Sequence, residues 1–72
     1  MKKYTATYYK DETEVRKVFD VVSVRTNKKY HYFEIVQVIY HHEIITIAYY
    51  QEVNRIVLKD EDGNRKEITH DE

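Results

Sequence analysis

A chain of 72 residues has room for one core and one domain, spanning residues 1–72, which excludes an active-site cleft between domains. Its 12 Lys and Arg against 13 Asp and Glu give a formal net charge of −1, so no global field draws it to nucleic acid or to an anionic membrane. Without cysteine, neither disulfides nor thiolate metal sites are available, and a core of this size supplies only about 3–5 kcal/mol unless something further is buried against it.

The start Met1-Lys2-Lys3 carries the charge of a signal peptide, but polar residues from Tyr4 to Asp11 follow where an apolar segment belongs. No run approaches the roughly 18 apolar residues of a membrane-spanning helix, so the expected setting is cytoplasmic, with no membrane partner. Eight Tyr, many β-branched residues, one Gly and no Pro favour pleated strands. Strands are expected at 3–9, 14–26, 30–40, 44–50, 55–59 and 65–69, separated by short polar clusters. The fold class is therefore all-β, a small antiparallel meander or an SH3/Sm-like barrel of five to six strands.

The segment 14–26 has a rival reading. Val15, Val18, Phe19 and Val22 fall at i, i+3, i+4 and i+7, and Asp11 with Glu14 could cap a helix at about 11–19, which would make the fold α+β. The strand reading needs one bulge, with Asp20 as the extra residue. Folding about Asn27-Lys28 then sets Val22 opposite Phe33, Phe19 opposite Ile35, Lys17 opposite Gln37 and Val15 opposite Ile39. Folding the next pair about His41-His42 sets Gln37 opposite Thr46, Ile39 opposite Ile44 and Ile35 opposite Ala48. A polar row Lys17–Gln37–Thr46 would cross three strands.

In that register one face carries Val15, Phe19, Val22, Phe33, Ile35, Ile39 and Ile44, and the other carries Val18, Val36, Val38, Tyr40, Ile45, Ile47 and Tyr49. Central strands that are apolar on both sides do not suit a half-solvated sheet. Val36, Val38, Ile45 and Ile47 should therefore be covered from beyond their own hairpin, with a second chain contributing.

No constellation for chemistry emerges. Gly63 is the sole glycine, so no phosphate-cradling loop exists. Around it, Asp60-Glu61-Asp62-Gly63-Asn64 lacks the first and last carboxylates of a calcium loop and reads as a hairpin turn with Gly63 at positive φ. His41 and His42 point to opposite faces of a strand, and with His31 and His70 they form no metal-ligand spacing. Ser23, the sole serine, sits in mid-strand, and the carboxylate pairs Asp11-Glu12 and Asp71-Glu72 occupy a charged turn and the terminus. No catalytic, cofactor or metal residue is assigned, and the chain reads as non-enzymatic.

Two surfaces remain. Arg25, Lys28, Lys29, Tyr30, His31 and Tyr32 interleave aromatic and basic residues, as single-strand-binding small barrels do. The face of Val36, Val38, Ile45, Ile47 and Tyr49 suits a protein partner. Finally, Tyr50-Gln51-Glu52-Val53-Asn54, with Tyr50, Val53 and Ile56 at that spacing, resembles the short turn before the last strand of SH3-like and Sm-like barrels, which implies an architecture and no function. The expected function is a protein-binding module, an adaptor or stoichiometric inhibitor that self-associates as a homodimer or covers another protein. In general appearance it suits an accessory protein of a bacterial mobile element. Single-stranded nucleic-acid binding through Arg25, Lys28, Lys29, Tyr30 and Tyr32 is the alternative.

Overall fold

The computed structural model describes residues 1–70; Asp71-Glu72, one of the carboxylate pairs above, lies outside them. Six strands follow in chain order: β1 (Tyr4–Lys10), β2 (Thr13–Asn27), β3 (Tyr32–Ile39), β4 (His42–Tyr49), β5 (Arg55–Lys59) and β6 (Arg65–Thr69). They form one antiparallel sheet in the order β4-β3-β2-β1-β5-β6. β1 to β4 run as consecutive hairpins, and β5 then crosses back to the free side of β1. The expected strands are present within two residues at each end. The helix at 11–19 does not form: Asp11 and Glu12 turn, and β2 begins at Thr13.

β2 explains both the curl of the sheet and the helical spacing in the sequence. Its first half pairs with β1 and its second half with β3, and Val21, opposite Tyr4 on one side and Gln37 on the other, stands where the two ladders meet. The β1 ladder gains an extra β2 residue between Val18 and Val21, where Asp20 has φ 60°, and the β3 ladder gains another between Val21 and Ser23. Each bulge lets three residues span what two would, so Val18, Val21 and Val24 all reach the core at intervals of three. A period that resembles a helix is thus produced by a bent strand.

The expected β2–β3 register is corrected accordingly. Thr26 faces Phe33, Val24 faces Ile35 and Val21 faces Gln37, because residues 28–31 form a longer loop than Asn27-Lys28 alone. Lys17 lies beside Thr7 of β1, so the row Lys17–Gln37–Thr46 does not exist. In the β3–β4 hairpin the loop is Tyr40-His41, both at positive φ (51° and 68°), the type I′ pattern, and not His41-His42. Ile35 therefore faces Thr46, Gln37 faces Ile44 and Ile39 faces His42. That shift of two residues preserves the faces, since side-chain direction alternates with period two.

The inner face gathers Ala6 and Tyr8 of β1, Val21, Phe33 and Ile35, Ala48, Ile56 and Leu58 of β5, and the turn residues Tyr50 and Val53 into one buried cluster. On this side β1 and β5 supply the cover; the face for which the sequence expected a second chain is the opposite one. Val15, Phe19 and Ile44, placed on the face of Phe33 and Ile35 from the sequence, are exposed: Val15 and Phe19 lie at the bulged start of β2, and Ile44 lies beside the Tyr40-His41 turn, at the end of the hairpin away from Ala48 and Tyr50. Tyr50, Val53 and Ile56 are all buried, and both Glu52 N and Val53 N donate to the Tyr49 carbonyl at 2.9 Å, so the short turn forms where the resemblance placed it. Among the described residues β4 and β6 do not pair. The sheet is curled and open, not a closed barrel.

The β5–β6 turn is built on Asp60. Its Oδ1 accepts hydrogen bonds from Asp62 N and Asn64 N, each at 2.9 Å, its Oδ2 receives Lys2 Nζ at 3.1 Å, and Gly63 sits at φ 88° as expected. Enclosure raises the Asp60 carboxyl, but the bonds from Lys2, Asn64 and Asp62 outweigh that effect and hold it below the ordinary aspartate range. A folded-state value below the unfolded one gives stability that is complete above the ordinary range and is lost as pH falls through the depressed value. Thermal melting should therefore hold steady from neutral pH to about 5 and fall below about 4, and Asp60→Asn should flatten that fall. An acid limb unchanged in Asp60→Asn would assign it to other carboxylates.

Candidate interaction surface

The type I′ loop makes Ile39 and His42 a hydrogen-bonded pair, after which bonded and non-bonded pairs alternate along an antiparallel ladder. His42, Ile44, Thr46 and Ala48 thus direct their backbone groups to β3. Glu43, Ile45, Ile47 and Tyr49 direct theirs outward, and β4 is the last strand on its side of the sheet. The same four residues send their side chains to the outer face. Ile45 is 49% exposed, Ile47 39% and Tyr49 53%.

Beside them, Val36 is buried by its neighbours in the sheet and Val38 is half-buried. The expectation that Val36, Val38, Ile45 and Ile47 are all covered is corrected for the single chain: the interior strand is covered and the edge strand is not. The structure also extends this face. The Tyr49 ring meets Tyr32 edge-on at 5.7 Å, and Tyr32 lies nearly parallel to Tyr30 at 6.5 Å and 12°. Tyr30 and Tyr32, read from the sequence as nucleic-acid contacts, therefore continue the Ile45–Ile47–Tyr49 strip. Period-two alternation along the expected strand 30–40 already sets Tyr30 and Tyr32 on the face of Val36 and Val38, and the β3–β4 register brings Tyr32 beside Tyr49.

The basic residues of the alternative site do not converge. Arg25 pairs with Glu34 at 3.2 Å, Lys29 lies over the Tyr30 ring at 5.2 Å, and Lys28 instead lines a small cavity of about 80 Å³ with His31, Tyr50 and His70. In that cavity Tyr50 stacks on His70 at 4.5 Å and meets His31 edge-on at 5.9 Å, while His41 and His42 stand exposed at the opposite end of the hairpin. Tyr8 presents a second buried aromatic, and burial raises its phenol, with Arg16 opposing.

The two sheet edges differ in chemistry. β6 reads Arg65-Lys66-Glu67-Ile68-Thr69 and is shielded by charge, as free edges usually are. β4 holds Glu43 as its sole Lys, Arg, Asp or Glu, and it has neither proline nor bulge. It is an unbulged, mostly apolar edge with free hydrogen-bonding groups. Among the described residues no helix is long and apolar enough to cross a membrane. No family model matches this chain, and neither a curated protein nor a solved structure matches it.

Proposed function

We propose that this chain is a small cytoplasmic binding module, an adaptor or stoichiometric inhibitor without catalytic activity, that receives a protein partner on the outer face of β3 and β4. The observation that carries this reading is the exposure of Ile45, Ile47 and Tyr49 on an edge strand that lacks the charge protecting the opposite edge. Tyrosine rings and aliphatic side chains flanking one another match the composition of interface cores.

Nucleic-acid binding is favoured by a single feature, the nearly parallel Tyr30 and Tyr32 rings with Lys29 beside them. It is weakened by the engagement of Arg25 with Glu34 and the separate direction of Lys28. Affinity capture distinguishes the readings, using tagged wild type and Ile47→Lys in a native lysate that also carries the untagged chain. Wild type should retain a protein after nuclease treatment, and Ile47→Lys should lose it while keeping the circular dichroism spectrum of the folded chain, since Ile47 lies outside the buried cluster. Capture abolished by nuclease, or by Lys28→Ala with Lys29→Ala, would transfer the function to nucleic acid. Identical capture by wild type and Ile47→Lys would remove this face from the function.

A further inference from the structure

We infer that the occupant of the β4 edge is a second copy of this chain, added as an antiparallel strand about a two-fold axis at Thr46. This inference rests on the protein-binding reading and specifies its partner.

The outward backbone groups belong to Glu43, Ile45, Ile47 and Tyr49, so a second strand can hydrogen-bond only in registers that pair these odd-numbered residues with one another. A two-fold axis makes each contact occur twice, and the pattern must therefore be complementary to its own reverse. Centring on Thr46 places Ile45 opposite Ile47 of the second copy and Glu43 opposite its Tyr49, where a phenol can donate to the carboxylate. No like charges meet. On the other face Thr46 meets Thr46, and Ile44, itself 42% exposed, meets Ala48. Moving the register by two residues in one direction puts Glu43 against Ile47, and in the other direction runs the pairing past the end of β4 into the Tyr50 turn. Thus the register that fills β4 also matches its charges and its apolar groups. The two sheets would join through their unprotected edges, leaving the charged β6 strands outermost.

Because the chain lacks cysteine, a single introduced thiol reports the register directly. Thr46 and its symmetry mate form a non-hydrogen-bonded pair with Cα atoms about 4.5 Å apart, within reach of a disulfide. Thr46→Cys should oxidise to a covalent dimer, whereas Ile44→Cys, whose mate lies opposite Ala48 and further along the strand, should not. Light scattering on wild type should give twice the mass of one chain, and Ile47→Lys should halve it. A doubled mass that Ile47→Lys halves, with no cross-link formed by the Thr46→Cys variant, would overturn edge pairing and leave the outer face as the interface. Equal cross-linking at positions 44 and 46 would overturn the register. A wild-type monomer at every concentration would overturn self-pairing, while capture of a different protein would then decide the wider reading separately.

Discussion

Phe33→Ala should leave most of the single chain unfolded at 25 °C. Phe33 has no exposed surface, packs its ring at 5.0 Å from Tyr50, and lies on β3 between Thr26 and Ala48, so its contacts join three strands and the β4–β5 turn. Truncating a buried Phe costs about 3–5 kcal/mol, counting both lost transfer energy and the cavity left behind. A core of this size supplies about the same amount, so removal of this one ring exhausts it. Phe19→Ala is the control. Phe19 is 61% exposed, and its truncation should stay within about 0.5 kcal/mol of wild type. Circular dichroism with urea titration measures both, and a Phe33→Ala midpoint equal to that of wild type would mean that the inner face is not the core.

The contrast between the two phenylalanines shows what the residues disclosed and what they concealed. Strand positions were legible because Val, Ile, Thr and Tyr cluster between polar turns, and β5 and β6 occupy the expected residues throughout. The two faces of the β3–β4 hairpin were legible too, because an even error in register leaves every side chain on its side. Phe33 and Ile35 were placed on one face and Ile45, Ile47 and Tyr49 on the other, a division the structure keeps, but which face forms the core was not assigned. Phe19 was misplaced because a bulge changes parity without leaving a mark in composition. Asp20 was identified as an extra residue, but the division of β2 between two partners was not, nor were the further bulges at Val15 and among Val21, Val22 and Ser23, where apolar residues continue on both sides. Asp60 was read as an ordinary turn residue; its role as the buried acceptor of that turn depends on Lys2, at the far end of the chain.

The loops were hardest to locate for a physical reason that also yields a prediction. Turn signals in a sequence are mostly glycine and asparagine at positive φ, and this chain has one glycine. Its remaining positive-φ positions among the described residues are Asp11, Asp20, His31, Tyr40 and His41. Aspartate tolerates that region, but Tyr40 and His41 hold it consecutively with bulky side chains, where each L-residue costs roughly 1–2 kcal/mol. Tyr40 recovers none of this by packing, being 89% exposed. Tyr40→Asn with His41→Gly, the pair that a type I′ turn prefers, should therefore raise stability by about 1–3 kcal/mol, somewhat less than the full strain because glycine gives the unfolded chain more freedom. The urea midpoint should rise with its slope unchanged, since the same surface is exposed on unfolding. A midpoint equal to or below that of wild type would show that the tip is not strained. The substitutions leave Ile45, Ile47 and Tyr49 in place, so the mass in light scattering should not change. If it fell, the exposed Tyr40-His41 tip would itself belong to the interface, and the strain it carries would be the cost of presenting those rings to a partner.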